Sequence, residues 1–319
     1  MTPPGPSRRA SALAVARIAT GSACLGLAAI LAKHSFEGGV PPLRLASIRV
    51  LVAVVVLVAV LAVWRRALLR PPRGAWPLLA VFGISVAAVN ATYYLAIDRI
   101  PIGVTISLQY TAPVALLAWA ALVTRRPPAR LAWLAGGLTL VGSVLVSRAL
   151  EGGAGLDPAG VAAALGSVVT LCSALLAAEA LGRRGVHTAT VLVYGFGIAV
   201  LFWSVVTPWW SFPWRALADP GVTLAVLGVG LIGTLIPFFL QVGALTVLPA
   251  ALAGIAMASE PVFASAFAWA LLGERLTPVQ LAGGLLTVVG VVLAQAAQQG
   301  QAAQPPAPTS ATTARTAGG

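Results

Sequence analysis

Charged residues are scarce in this chain, and so are cysteine and histidine. Only 9% of its 319 residues are charged, against roughly 25% in an ordinary soluble domain, and 59% are hydrophobic. Cys24 and Cys172 provide neither a disulfide framework nor a metal site, and His34 and His187 lie near predicted helix ends, where solvated loop residues are expected. Because the sequence contains no Walker lysine motif, HExxH or CxxC, no cofactor and no metal are expected.

Apolar stretches of about 20 residues recur along the chain, each long enough to cross roughly 30 Å of hydrocarbon as a helix. The first follows Arg8 and Arg9, but it is too long for the core of a typical signal peptide and is interpreted as an uncleaved helix. The chain is therefore predicted to be an all-α polytopic membrane protein. Ten spans are predicted, at residues 12–32, 44–64, 76–97, 103–124, 130–147, 158–180, 187–207, 221–242, 250–272 and 278–296.

The net charge of +12 is spread over short loops. If the N-terminus is inside, 13 of the 20 basic residues fall on cytoplasmic segments and six of the eight acids fall on the outer side. This positive-inside pattern predicts a multi-pass inner-membrane protein with both termini cytoplasmic. A surface for nucleic acid would gather its arginines on one face. The expected partners are therefore the lipid bilayer and a small molecule, and not nucleic acid.

The two halves of the chain contain related segments at an offset of about 148 residues. "IPIGVTISLQYTAPV" (100–114) matches "LPAALAGIAMASEPV" (248–262), and "LAGGLTLVG" (134–142) matches "LAGGLLTVVG" (281–290). Five spans per half is an odd number, so the second repeat enters the membrane with the opposite orientation, as in many secondary transporters. We therefore predict two inverted five-helix repeats around a central cavity.

This repeat, together with the composition, divides the chain into five segments. After residue 297 the composition turns to Gln, Ala, Pro, Ser and Thr, which cannot bury a core and predict disorder. The expected segments are a cytoplasmic N-terminus at 1–11, repeat one at 12–148, an external linker at 149–157, repeat two at 158–296 and a disordered cytoplasmic tail at 297–319.

The stretch "GIAMASEPVFASAFAW" (254–269) places a carboxyl group, Glu260, near the middle of the ninth predicted span. Counted from Ala250 at about 1.5 Å per residue, Glu260 lies roughly 15 Å deep, where a charge is costly. Pro261, which follows it, lacks an amide hydrogen and is expected to break the helix. Pro113 in the fourth span and Pro237 in the eighth are expected to do the same, so three broken helices are predicted to meet near one depth.

Polar side chains are concentrated near these predicted breaks. An ionisable residue inside a membrane is a functional candidate by default, although a purely structural carboxyl would give the same sequence. Glu260 is also the candidate coupling group, together with Arg49, which is expected either to point inward or to extend to the outer surface. The candidate substrate-binding residues are Asn90, Tyr93, Tyr94, Gln109, Tyr110, Thr111, Ser259 and Glu260.

Four segments carry a resemblance to a known family: "AKHSF", "LRLASIRVLVA", "YYLAIDRIPIGVTISLQYTAPVA" and "MASEPVFASAFAWALLGERLTPVQLAGG". Through them the chain, apart from its tail, resembles the EamA-type members of the drug/metabolite transporter superfamily. "NATYYLAIDRIPIG" and "ASEP" are most similar to the threonine and homoserine exporter group. The resemblance implies a basket-shaped bundle with a central cavity, and the export of small metabolites, often amino acids.

We therefore expect a secondary transporter that exports a small metabolite, an amino acid or a related compound, across the bacterial inner membrane by alternating access. If transport is coupled to an ion, the expected ion is the proton, which the carboxyl group of Glu260 would take up and release. A facilitative exchanger or a multidrug-type exporter of the same fold is the alternative. A membrane enzyme is disfavoured because the sequence shows no cluster of catalytic acids, histidines or metal ligands. A passive channel is disfavoured because a single carboxyl forms no ring of like groups.

Overall fold

A computed structural model describes residues 7–123, 128–149, 155–273 and 275–302, with side chains as far as Ala297. Arg125, Arg126, Glu151, Glu274 and the predicted tail from residue 303 onward, with Arg315, lie outside the described residues. The helices are α1 (Arg8–Glu37), α2 (Pro42–Trp64), α3 (Trp76–Ile97), α4 (Ile102–Gln109), α5 (Ala112–Val123), α6 (Arg130–Val146), α7 (Pro158–Arg183), α8 (Thr188–Val206), α9 (Pro220–Gly230), α10 (Ile236–Ala244), α11 (Ala250–Met257), α12 (Glu260–Leu272) and α13 (Pro278–Ala302).

These helices form ten spans within the described part of the chain. Nine are long and apolar enough to cross a membrane. Two of those nine are interrupted, between α4 and α5 and between α11 and α12, and a third contains a π-helix between α9 and α10. The tenth, α6, is a shorter apolar helix of 17 residues. The predicted all-α architecture with ten membrane helices is confirmed.

Two helices extend beyond the apolar stretches that predict them. α1 begins at Arg8 because the Ser7 hydroxyl caps it, accepting a hydrogen bond from the Ala10 amide at 3.2 Å. α13 continues to Ala302, past residue 297, where the composition predicts a disordered tail. Alanine and glutamine dominate "AQAAQQGQA" (294–302) and favour helix without an apolar face. This corrects the start of the predicted tail.

Successive spans run in opposite directions, so the helix ends lie on two sides of the bundle. We call the side on which α1 begins the N side and the opposite one the far side. On the N side, the Tyr194 hydroxyl at the start of α8 donates to the Leu69 carbonyl in the loop after α2 at 2.6 Å. On the far side, the Arg44 guanidinium at the start of α2 donates to the Pro208 carbonyl in the loop after α8 at 3.1 Å.

Helix contacts repeat when the two halves are exchanged. α3 packs along α7, and its counterparts α9 and α10 pack along α1, while α6 and α13, which correspond to each other, form one long contact. In that contact a Cβ on Gly142 would lie 2.7 Å from the Thr287 amide nitrogen, and one on Gly290 would lie 3.0 Å from the Thr139 amide nitrogen. Since each glycine and each threonine lies 148 positions from its counterpart, the sequence repeat is also a structural repeat.

Buried apolar residues are distributed unevenly between the two sides. Two small clusters lie towards the far side, one around Ile48 and Val226 and the other around Ile100 and Ala164. The largest cluster is continuous and closes the N side. Its members include Leu79, Leu117, Leu181, Leu192, Leu245 and Ala253.

Candidate functional site

Two spans are interrupted halfway along their length. α4 gives way to α5 over two residues, and α11 gives way to α12 in the same way. Pro113 and Pro261 are the second residues of the helices that follow. In the first turn of a helix no intrahelical partner exists for the amide, so the missing proline N–H is tolerated there. The breaks leave four residues between helices: Tyr110, Thr111, Ala258 and Ser259.

The eighth span contains a different irregularity. A π-helix, Leu231–Leu235, separates α9 from α10, and Pro237 follows within the first turn of α10. The Thr234 hydroxyl donates to the Val229 carbonyl, five residues back, at 3.0 Å. A π-turn widens the helix by one residue and commonly marks a functional position. Helix therefore continues through Pro237 without a gap, so the break predicted there is replaced by a π-turn.

α1 packs against the break in the ninth span through small residues. A Cβ on Gly26 would lie 2.7 Å from the Ala264 amide nitrogen, so the two backbones are in direct contact. The Ser22 hydroxyl donates to the Met257 carbonyl at 3.4 Å, which is the carbonyl that Pro261 cannot engage. Sequence reasoning missed Ser22 and Gly26. The small residues of "GSACLG" (21–26) are a signal of close helix packing in membranes that could have located them.

Arg49 of α2 points into the bundle and is held there by α3. Its Nη2 donates to Asn90 Oδ1 at 2.6 Å. Asn90 Nδ2 in turn donates to the Val86 carbonyl at 2.9 Å, which fixes the orientation of the amide. Arg49 Nε is buried and has no hydrogen-bond partner. The arginine side chain is therefore positioned but not saturated with partners.

Glu260 begins α12 and faces the same interior region. Its side chain is half-buried, although it lies at the middle of a span. The Tyr110 hydroxyl lies close to the carboxyl, and Arg49 and Tyr93 lie within electrostatic range of it. In the part of the chain that the structure describes, Arg49 and Glu260 do not approach within the 4.0 Å of an ion pair. The fold thus brings five predicted residues together: Arg49, Asn90, Tyr93, Tyr110 and Glu260.

The other predicted residues lie nearby but are engaged differently. The Tyr94 ring packs against the Tyr93 ring at a centroid distance of 5.9 Å. The Thr111 and Ser259 hydroxyls donate to carbonyls of the preceding helices, three residues back, at 2.7 Å each. Gln109 is half-buried, and its side chain makes no hydrogen bond to another described residue. These four residues border the central group without a hydrogen bond to it.

A cavity of about 310 Å³ opens towards the far side between α1, α12 and the start of α13. Its lining includes Gly26, Ala264 and Ala268. Ala264 and Ala268 follow Glu260 at intervals of four residues, which places all three on one face of α12. The cavity therefore ends one helical turn from Glu260.

The central group combines a guanidinium, a carboxyl, an amide and two phenol groups around a partly accessible interior. Such a set can bind a small molecule that carries both charges by hydrogen bonds and ionic contacts. Among the described residues no group of three or more His, Cys, Asp or Glu side chains is placed to hold a metal ion.

Comparisons with known proteins agree with this architecture. The model of the EamA-like transporter family matches residues 12–148 and 158–295. The chain is similar to the threonine/homoserine exporter RhtA of Escherichia coli (strain K12), with 30% identity over 243 residues, which are 76% of this chain and 76% of that protein. It is also similar to the uncharacterized transporter YwfM of Bacillus subtilis (strain 168), with 28% identity over 74% of this chain and 79% of that protein.

A solved crystal structure has the same fold, with a TM-score of 0.75 and 20% sequence identity over 92% of this chain and 99% of that one. The family that matches is one of transporters, and the similar protein with an assigned activity is an exporter rather than an enzyme.

Proposed function

We propose that this chain, which belongs to the EamA-like transporter family, exports a small amino acid or a closely related metabolite by alternating access. The observation that carries the proposal is the position of Glu260. Its carboxyl group lies half-buried at the break of the ninth span, with the Tyr110 hydroxyl and the Arg49 guanidinium within reach. An ionisable group inside a membrane span is costly and marks a substrate or ion pathway by default.

The substrate class is inferred from the charges at the site. One carboxyl and one guanidinium, surrounded by Asn90, Tyr93 and Tyr110, suit a small molecule that carries an ammonium and a carboxylate. The Escherichia coli relative is a threonine/homoserine exporter, which agrees with this class. The proposed substrate-binding residues are Asn90, Tyr93, Tyr94, Gln109, Tyr110, Thr111, Ser259 and Glu260.

We further propose that Glu260 couples export to proton entry, with Arg49 as its charged neighbour. A carboxyl group that takes up a proton in one facing state and pairs with the substrate ammonium in the other makes the two movements depend on each other. Because Glu260 is the first residue of α12, movement of the half-helices around the break would change its exposure to the two sides. The N side is the cytoplasmic side in this proposal, and the membrane is the bacterial inner membrane.

The decisive test compares the wild-type protein with Glu260→Gln in proteoliposomes. Counterflow of radiolabelled L-threonine measures exchange without a gradient, and efflux driven by an inward proton gradient measures coupling. If Glu260 is the coupling group, the variant retains counterflow but loses the acceleration by the gradient. Gradient-driven efflux at the wild-type rate in Glu260→Gln would overturn the coupling role. Transport of uncharged drug-like compounds at the rate of L-threonine would favour a multidrug exporter. Exchange by the wild-type protein without any response to the proton gradient would favour a facilitative exchanger.

The proposed orientation has its own test. Reporter fusions at Arg70 and Arg184 should read as cytoplasmic, and fusions at Gly38 and Asp219 should read as external, because successive spans alternate in direction. The opposite reading at all four positions would reverse the orientation. Mixed readings would contradict the inverted repeat itself.

A further inference from the structure

Arg49 has donors that the protein does not use. Its guanidinium can donate five hydrogen bonds, and within the described chain the one hydrogen bond that it makes is the 2.6 Å bond from Nη2 to Asn90 Oδ1. Nε is shielded from solvent and has no partner. A shielded donor on a cationic group is costly to leave unpaired. An acceptor that the chain itself does not supply would remove that cost.

The surroundings of Arg49 define what this acceptor is. Asn90 is itself anchored to the Val86 carbonyl. It therefore holds the guanidinium by a neutral amide oxygen, which does not pair with the positive charge of Arg49. Glu260 lies within electrostatic range but makes no ion pair with Arg49. The missing partner is therefore an anion that accepts two hydrogen bonds from the edge of a planar guanidinium, and a carboxylate has that geometry.

We infer that Arg49 receives the carboxylate of the transported molecule, with Asn90 as the residue that positions Arg49. The inference rests on the proposed function and narrows it: the transporter selects molecules with a free carboxylate and rejects the corresponding amides and esters. An α-amino acid carries its carboxylate and its ammonium on the same carbon. One small molecule can thus pair with both Arg49 and Glu260, which make no direct ion pair with each other.

The competing reading is that Arg49 only balances the charge of Glu260. A balancing charge needs no particular shape, so lysine would replace it well. A carboxylate receptor needs the planar, two-pronged guanidinium, and lysine would replace it poorly. Arg49→Lys therefore separates the two roles, and the chemistry of the competitor provides a second, independent readout.

The experiment uses the purified full-length protein in proteoliposomes with L-threonine counterflow, in competition with L-threoninamide and with N-acetyl-L-threonine. Threoninamide keeps the ammonium and lacks the carboxylate. We expect it to compete at least about tenfold less well than unlabelled L-threonine, the loss typical of one charge-assisted contact. In Arg49→Lys the affinity for L-threonine should fall by a similar factor, and the preference for threonine over threoninamide should largely disappear.

Asn90→Asp tests the same contact without removing the arginine. It places a carboxylate of the protein on Arg49, where it would compete with that of the substrate, so L-threonine affinity should fall although the side chains remain nearly equal in size. The matched control is Arg44→Lys. Arg44 lies on the same helix, and its guanidinium donates to Ser211 Oγ at 2.6 Å and to the Pro208 carbonyl at 3.1 Å on the far side. This control should leave the preference for threonine unchanged.

Three results would overturn the inference. If threoninamide competes with L-threonine counterflow in the wild-type protein as well as unlabelled threonine does, Arg49 is not a carboxylate receptor. The proposed function would remain intact. An Arg49→Lys protein with unchanged affinity and preference would assign Arg49 to charge balance. Absence of counterflow for every proteinogenic amino acid and for homoserine in the wild-type protein would overturn the proposed function, and this inference with it.

Discussion

The two halves of the ninth span differ in their surroundings. In α11, which leads from the N side to the break, seven of the eight residues are buried. In α12, which leads from the break to the far side and is described throughout, no residue is buried. A helix that is apolar along its whole length but packed along only one half lies partly against protein and partly against a cavity or lipid. α11 is therefore packed into a closed N side, whereas α12 contributes Ala264 and Ala268 to the far-side cavity.

The contact between α6 and α13 shows the opposite behaviour. There the two repeats make equivalent contacts: Gly142 of the first repeat packs against Thr287 of the second, and Gly290 of the second packs against Thr139 of the first. Symmetry is retained where α6 and α13 form a common frame. It is broken in the interrupted spans, because seven of the eight residues of α11 are buried but only two of the eight residues of its counterpart α4 are. In alternating access by inverted repeats the mobile parts exchange their arrangements around a fixed frame. The difference between α11 and α12 is thus the part of the fold that we expect to reverse during transport.

The largest expected effect is in thiol labelling of the two half-helices. In a background of Cys24→Ala and Cys172→Ala, Ala268→Cys on α12 lines the far-side cavity, while Ala253→Cys on α11 is at a fully buried position. A maleimide reagent should modify Ala268→Cys on the order of 100-fold faster, because labelling of the buried thiol requires a local opening that costs about 3 kcal/mol. The measurement is made on detergent-solubilised protein, in which both sides face the solvent.

The control for this comparison is complete unfolding in denaturant, where both thiols should react at the same rate. Similar rates in the folded protein would mean that α11 is not packed as the structure has it, and the assignment of a closed N side would fail.

A smaller effect is expected in the frame that α6 and α13 form. Gly142→Ala places a methyl group 2.5 Å from the Gly283 carbonyl oxygen and 2.7 Å from the Thr287 amide nitrogen, neither of which can rotate away. The free energy of unfolding should fall by about 1–3 kcal/mol, as is usual for overpacking. The matched control is Gly137→Ala on the same helix, where nothing lies within 4 Å and alanine should stabilise α6 slightly. Thermal unfolding in detergent measures both, and equal shifts would contradict a close α6–α13 contact.

The sequence predicted the frame better than it predicted the site. Apolar run length was enough for the ten spans, because a membrane leaves the backbone few alternatives to helix. Those runs could not reveal that Ser22 donates to the Met257 carbonyl, since that contact joins residues 235 positions apart. The polar residues near the predicted breaks were identifiable by type. Their separation into a central group around Arg49 and Glu260 and a border that includes Thr111 depends on side-chain direction, which spacing along the chain does not determine.

A second contact that the sequence could not predict holds the N side of α11. The residue before this helix, Pro249, has no side chain that can cap it. Instead, Glu179 of α7, 71 positions earlier, accepts a hydrogen bond from the Ala250 amide through Oε2 at 3.0 Å. Its Oε1 pairs with Arg183 Nη1 at 2.8 Å. Glu179 therefore supplies a helix cap from a neighbouring span and links the N-side ends of α7 and α11.

The smallest expected effect comes from removing this cap. Loss of a helix cap costs about 1 kcal/mol, so Glu179→Ala should favour opening of the N side and raise the labelling rate of Ala253→Cys about fivefold. Glu179→Gln keeps an oxygen acceptor for the Ala250 amide and should raise this labelling rate less. Arg183 is 68% exposed, and exposed ion pairs contribute little, so Arg183→Ala should change the rate less than about twofold. If Arg183→Ala raised the labelling rate as much as Glu179→Ala does, the ion pair rather than the cap would hold α11 in place.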